Sequence, residues 1–122
     1  MGNYDINIEW SRLFPLTEEE TKKFNQGKIE GVYRISRKES DGKFYVIFVG
    51  NTMDLKQDLE KLILEKDTNF LKQGGEFSFR YAKVTEGEET RRAIEKQMYK
   101  KYAPEYNSKE PISSLDIKVN LN

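Results

Sequence analysis

Two apolar runs joined by a tight turn constrain this chain more than any other feature. The first, "IEGVYRISRK", centres on Val32 and Tyr33. The second, "FYVIFVG", covers Phe44 to Gly50. Between them lies "ESDGK", whose Asp41-Gly42 pair favours positive backbone angles. Runs of this length rich in β-branched and aromatic residues predict an antiparallel hairpin. The second run is apolar on both faces, which predicts a central strand.

The pattern then changes period. In "MDLKQDLEKLILEK", Leu55, Leu59, Leu62 and Ile63 share one helical face, and Asp54 suits the N-terminus. "DTNFLKQGGE" reads as a loop or short helix broken at Gly74-Gly75. "FSFRYAKV" alternates as a third strand. "EGEETRRAIEKQMYKKY" is a second long helix with Ile94, Met98 and Tyr102 as its stripe, ended by Pro104. "SLDIKVNL" alternates well enough for a final strand.

Upstream, "PLTEEETKKFNQG" predicts a short polar helix. Thr17 caps it, Glu20 completes a capping box, and Gly27 ends it. It would pack through Leu16, Phe24 and the preceding aromatics, with Ile6, Ile8, Trp10, Leu13 and Phe14 also available for docking. The expected fold is a small α/β domain: a three-stranded, mainly antiparallel sheet flanked by helices, with an added N-terminal helix.

Composition narrows the chemistry. The 122 residues suffice for one domain with its own core. There is no cysteine and no histidine, which excludes disulfides, thiol nucleophiles, imidazole bases and Cys or His metal sites. Catalysis would fall to Tyr, Lys, Arg, Asp or Glu, and any metal to oxygen ligands. Lys plus Arg and Asp plus Glu both number 21, and a net charge of zero argues against a strong general nucleic-acid binder. The start "MGNYDI" lacks a secretory pattern, and Ile6 stands where a myristoylation signal needs Ser or Thr. With no long apolar run, no membrane association and a cytoplasmic location are expected.

Gly31-Val32-Tyr33, then Phe48-Val49-Gly50, Asn51-Thr52 and Asp54-Leu55 at a helix start, then Glu95 on a later helix and "KKYAPEYN", form an ordered series. The series, ending in Pro104-x-x-Asn107, resembles the GIY-YIG nuclease superfamily over about residues 28–108. The resemblance implies three parts: residues 1–27 as a segment packed on the domain, 28–108 as the GIY-YIG-like domain, and 109–122 as a tail or strand. It implies phosphodiester cleavage with one divalent ion, Mg²⁺ or Mn²⁺. Tyr33 would match the tyrosine beside the attacking water, Glu95 the metal-binding carboxylate, and Asn107 a residue bracing the site. Gly31 and Gly50 would match the motif glycines.

Three positions depart from that pattern. Phe48 replaces a tyrosine and loses its hydroxyl. Asp58 stands where the family has an arginine. Leu62 stands where many members carry a histidine or other polar residue. Phosphoryl transfer needs cations against its developing negative charge. At roughly 6 Å and an effective dielectric of ~20, one unit charge is worth about 3 kcal/mol, and arginine to aspartate is two units. Tyr45 is expected to face away from Phe48 unless a bulge intervenes, and Lys61 to pair with Asp58.

Plainer roles compete with each assignment. Tyr33 and Phe48 suit a core, Glu95 and Asp58 a solvated helix surface, and Asn107 a turn. Arg91, Arg92, Lys96 and Lys100 interleave with Glu86, Glu88, Glu89 and Glu95, which suits a solvated face. Three functions stay open. The leading one is a catalytically impaired GIY-YIG-like domain that binds nucleic acid (DNA) or a protein partner. The second is a metal-dependent endonuclease. The third is a structural domain whose tripeptides match by chance.

Overall fold

The hairpin forms as its sequence predicts. In a computed structural model describing residues 4–24, 27–107, 110–113, 115 and 117–121, β3 (Gly31–Lys38) pairs antiparallel with β4 (Phe44–Thr52). The turn closes through Gly42 N–H to Glu39 O, with Gly42 at φ +82°, where a side chain would be strained. The remaining elements are β1 (Tyr4–Asn7), β2 (Phe14–Pro15), α1 (Glu18–Lys23), α2 (Leu55–Leu64), β5 (Phe77–Lys83), α3 (Glu88–Tyr102) and β6 (Ile117–Asn120). Two 3₁₀ turns, Lys66–Thr68 and Phe70–Gln73, occupy the stretch before Gly74.

The chain is a mixed α/β structure with three α-helices and a four-stranded antiparallel sheet of order β2-β5-β3-β4. Two expectations change here. The sheet gains a fourth strand, because Phe14 and Pro15 pair with Phe79 and Ser78. The apolar strand β4 lies at the sheet's edge, not its centre, and β3 is the inner strand between β4 and β5. An edge strand can be apolar on both faces when helices cover both, and that happens here. On one face Tyr33, Ile35 and Phe79 pack with Leu55 and Leu59 of α2 and with Phe24 and Phe70. On the other, Val32, Val49 and Ala82 pack with Ala93, Ile94 and Met98 of α3. Leu55 and Leu59 are fully buried, each contributing about 1.5–3 kcal/mol.

The N-terminal helix is shorter than its sequence predicts. Thr17 caps it, accepting from Glu20 N, but it ends at Phe24 rather than Gly27. Phe24 turns to extended angles and bonds back to Thr21 O. Its ring meets Phe14 and Phe79 edge-on at 5.8 and 6.0 Å, so core packing overrides the helix. Gly27 has a positive φ but lies beyond the cap. The terminal strand is present as β6, pairing in parallel with β1 in a separate two-stranded sheet beside α3. Residues 1–3 of the "MGNYDI" reading, 25 and 26 of the N-terminal helix reading, 108 and 109 of the loop after α3, and 114 and 116 of the final-strand reading lie outside the described residues. Among the described residues, no helix is long and apolar enough to cross a membrane.

Candidate functional site

Strand pairing sets Tyr33 opposite Gly50 on β4 and Tyr81 on β5. A Cβ built on Gly50 would come within 2.7 Å of Tyr33 Cζ and 2.8 Å of its hydroxyl. Gly50 is therefore the space in which the phenol lies. Tyr33 is only 6% exposed, and its ring sits 6.2 Å from that of Phe48. Phe48 stacks in turn on Phe70 at 5.2 Å, so its ring belongs to the aromatic packing on this face.

Past Gly50 the strand leads into α2 with little freedom. Thr52 Oγ1 accepts from Asp54 N, the Asp54 carboxylate accepts from Gln57 N, and Leu55 N–H donates to Ile29 O. This fixes the first turn of α2, which carries Asp58. Asp58 is half-buried and lies near enough to Tyr33 to act on it electrostatically. It makes no ion pair with Lys61, contrary to expectation: Lys61 is exposed, where holding a paired geometry gains little. Leu62 is half-buried against the α2-side core rather than opening to the site.

Glu95 approaches from the opposite helix. Alternation along β4 turns Asn51 to the α3 face, and Asn51 Nδ2 donates to Glu95 Oε1 at 2.6 Å. The carboxylate is half-buried and opens onto a concavity of ≈ 440 Å³, lined also by Arg92, Glu110, Pro111 and Ile112. Burial raises its pKa, while the Asn51 hydrogen bond and Arg92 act the other way. Tyr33 feels both sides of the sheet. Burial pushes its phenol well above the ordinary 10.0, and Asp58 and then Glu95 push it further. Both charged groups that raise it, Asp58 and Glu95, are negative.

Asn107 does not hold a local turn. Its Oδ1 accepts from Val49 N and its Nδ2 donates to Val49 O, both at 2.9 Å. Together with Tyr106 N–H to Ile47 O, it pairs with the outer edge of β4 as a neighbouring strand would. The turn that returns the chain begins at Ala103, in the left-handed region at φ 45°, before buried Pro104. Asn107→Ala should remove two partly buried hydrogen bonds and cost about 1–3 kcal/mol in urea unfolding. Faster amide exchange at Val49, with the centre of β3 unchanged, would locate the loss.

A bulge does intervene in β4: Phe48 pairs with Ile35 but Val46 with Ser36, leaving Ile47 as the extra residue. Tyr45 is nevertheless exposed and donates to Asp41 Oδ2, so it supplies nothing to the site. On α3, Arg92 pairs with Glu88, and Lys96 and Lys100 pair with Glu110. Arg91 is buried and bonded to Glu30. Sequence reasoning assigns Asn51 no role, although a polar residue directly after a fully apolar strand was a signal. Among the described residues no cluster of three acidic side chains gathers. A mostly hydrated Mg²⁺ or Mn²⁺ needs only one or two carboxylates, and Glu95, which opens onto the concavity, would be its ligand. Compared with protein-family models, curated proteins and solved structures, the chain finds no significant match.

Proposed function

We propose that this chain is a GIY-YIG-like domain, acting in the cytoplasm, whose site no longer cuts phosphodiester bonds efficiently and which serves as a binding module for nucleic acid or a protein. The observation that carries this reading is the charge around Tyr33: Asp58 and Glu95, both negative, with the phenol buried and its proton held tightly. A phosphodiester brought there meets repulsion where transfer chemistry needs a cation. Phe48 adds no second hydroxyl, and Leu62 faces the core.

A second reading, a surviving endonuclease, draws support from the link between Tyr33 and Glu95 and from the Asn107 brace on β4. In that case Glu95 would hold a divalent ion, which would supply Lewis-acid stabilisation of the phosphate. Plasmid and branched DNA incubated with Mg²⁺ or Mn²⁺ should remain uncut. Metal-dependent cutting that disappears in Glu95→Ala would sink the impaired-site reading. DNA binding titrated with salt tests the remainder, because neutralising phosphates gives a steep salt slope. If no salt-sensitive binding is found, a protein partner is left.

A further inference from the structure

A cationic concavity lies on the α3 face of the sheet, away from the buried Tyr33 phenol. Arg34 on β3 stands directly opposite Arg80 on β5. Like charges paired this way across strands repel one another. Both line a concavity of ≈ 540 Å³, and Lys101 from α3 lines it too. Among the described residues none of these three side chains has a carboxylate partner. Of the other arginines, Arg37, Arg91 and Arg92 each hold a carboxylate, and Arg12 lies over the Phe14 ring. In a chain of zero net charge, three converging cations with no carboxylate partner among the described residues are a local arrangement rather than a general excess.

The two arginines are also held by neighbouring groups. Arg34 lies with its guanidinium 4.5 Å from the Trp10 ring and donates to the Tyr102 hydroxyl. Arg80 donates to Ser11 O at 3.4 Å. Burial, and then Arg80, lower the pKa of Arg34, whereas Tyr102 raises it. Two positions along the strands, Ser36 pairs with Ser78. Ser36 lines the concavity, and Ser78 carries a buried hydroxyl with no hydrogen-bond partner among the described residues. Phe44, Val46 and Leu13 supply an apolar wall. Preorganised arginines beside a hydroxyl suit the oxygens of a dianion, and an apolar wall suits the organic body attached to it. The volume falls in the range of small-molecule sites, roughly 300–1,000 Å³.

From this we infer that the Arg34–Arg80–Lys101 concavity binds a small organic phosphate, a phosphomonoester of mononucleotide size. The inference does not depend on the nuclease resemblance and survives its failure.

Calorimetric titration of the full chain with 5′-AMP, adenosine and inorganic phosphate tests it. AMP should bind, phosphate more weakly, and adenosine not measurably. Arg80→Gln and Lys101→Gln should each weaken AMP about tenfold, the loss of one charge-assisted hydrogen bond. Arg34 is left intact, because its stacking on Trp10 would confound binding with folding. Circular dichroism and the melting temperature of each variant establish that it is folded. Three results would overturn the inference: no AMP binding at millimolar concentration, binding indifferent to both variants, or an oligonucleotide lacking terminal phosphates binding through these residues while AMP does not.

Discussion

Gly31→Ala is expected to destabilise the protein by about 3 kcal/mol or more, the largest effect of a methyl added at any glycine among the described residues. A Cβ at Gly31 would fall 2.0 Å from Ala82 O, 3.0 Å from Ala82 C and 3.1 Å from Lys83 Cα. These are backbone atoms of β5, so no rotamer change relieves the clash. The strands must part, and β3 is the inner strand that carries both β4 and β5. The urea midpoint should fall sharply with little change in slope.

Gly50→Ala provides the contrast. Its obstacles at 2.7, 2.8 and 3.0 Å are all atoms of the Tyr33 side chain. The ring is buried and cannot swing away freely, so a cost of about 1–3 kcal/mol is expected. In a Tyr33→Ala background that cost should largely disappear, whereas the Gly31→Ala cost should persist. A double-mutant cycle separates the two. Equal penalties for Gly50→Ala in both backgrounds would mean that Gly50 is needed for its backbone and not for the phenol.

How much of this was legible beforehand depended on the range of the interaction involved. The hairpin, the Thr17 and Asp54 caps and the two long helices follow from local period and turn chemistry, and they form where the sequence predicts them. The importance of Gly31 and Gly50 also showed in the sequence, but only as a resemblance. The reasons, a carbonyl of β5 and a phenol of β3, are contacts between strands. The position of β4 was misread because apolar alternation reports that both faces are covered, not how many neighbours a strand has. Its outer edge is closed by Asn107, 58 residues further on. The opposition of Arg34 and Arg80 is equally invisible in one dimension, since strand register creates it. The parallel pairing of β1 with β6 joins the two ends of the described chain and carries no local signal.

These placements change what the site residues mean. Tyr33 and Glu95 reach each other's field from opposite faces of the sheet, past a strand edge narrowed by Gly50. That explains how a core tyrosine and a half-buried helix carboxylate can both fit their structural roles while remaining electrostatically linked. Of the two charged groups that raise the Tyr33 pKa, Asp58 on α2 acts more strongly than Glu95 on α3.

Changing Asp58 should therefore move the ionisation of Tyr33 in graded steps. Asp58→Asn removes one negative charge, and Asp58→Arg replaces it with a positive one. Each step removes repulsion from the tyrosinate, by less where water screens the half-buried carboxylate. The tyrosinate signal of Tyr33, isolated by difference against Tyr33→Phe, should appear at progressively lower pH from wild type to Asn to Arg. Stability should follow with a definite sign. The folded phenol has a pKa raised above the unfolded value near 10, so the native state holds its proton more tightly. The associated stability is fully present below about pH 10 and is lost as pH rises above it towards the folded pKa. Wild type should weaken steeply in alkali, Asp58→Arg less so, and Tyr33→Phe least. The same series bears on catalysis: if the negative field is what silences the site, Asp58→Arg combined with Phe48→Tyr should bring metal-dependent DNA cleavage above background. If the titration of Tyr33 shifts as expected and cleavage still fails to appear, charge at position 58 is not what limits the chemistry. If Tyr33 does not shift at all, Asp58 does not govern the site.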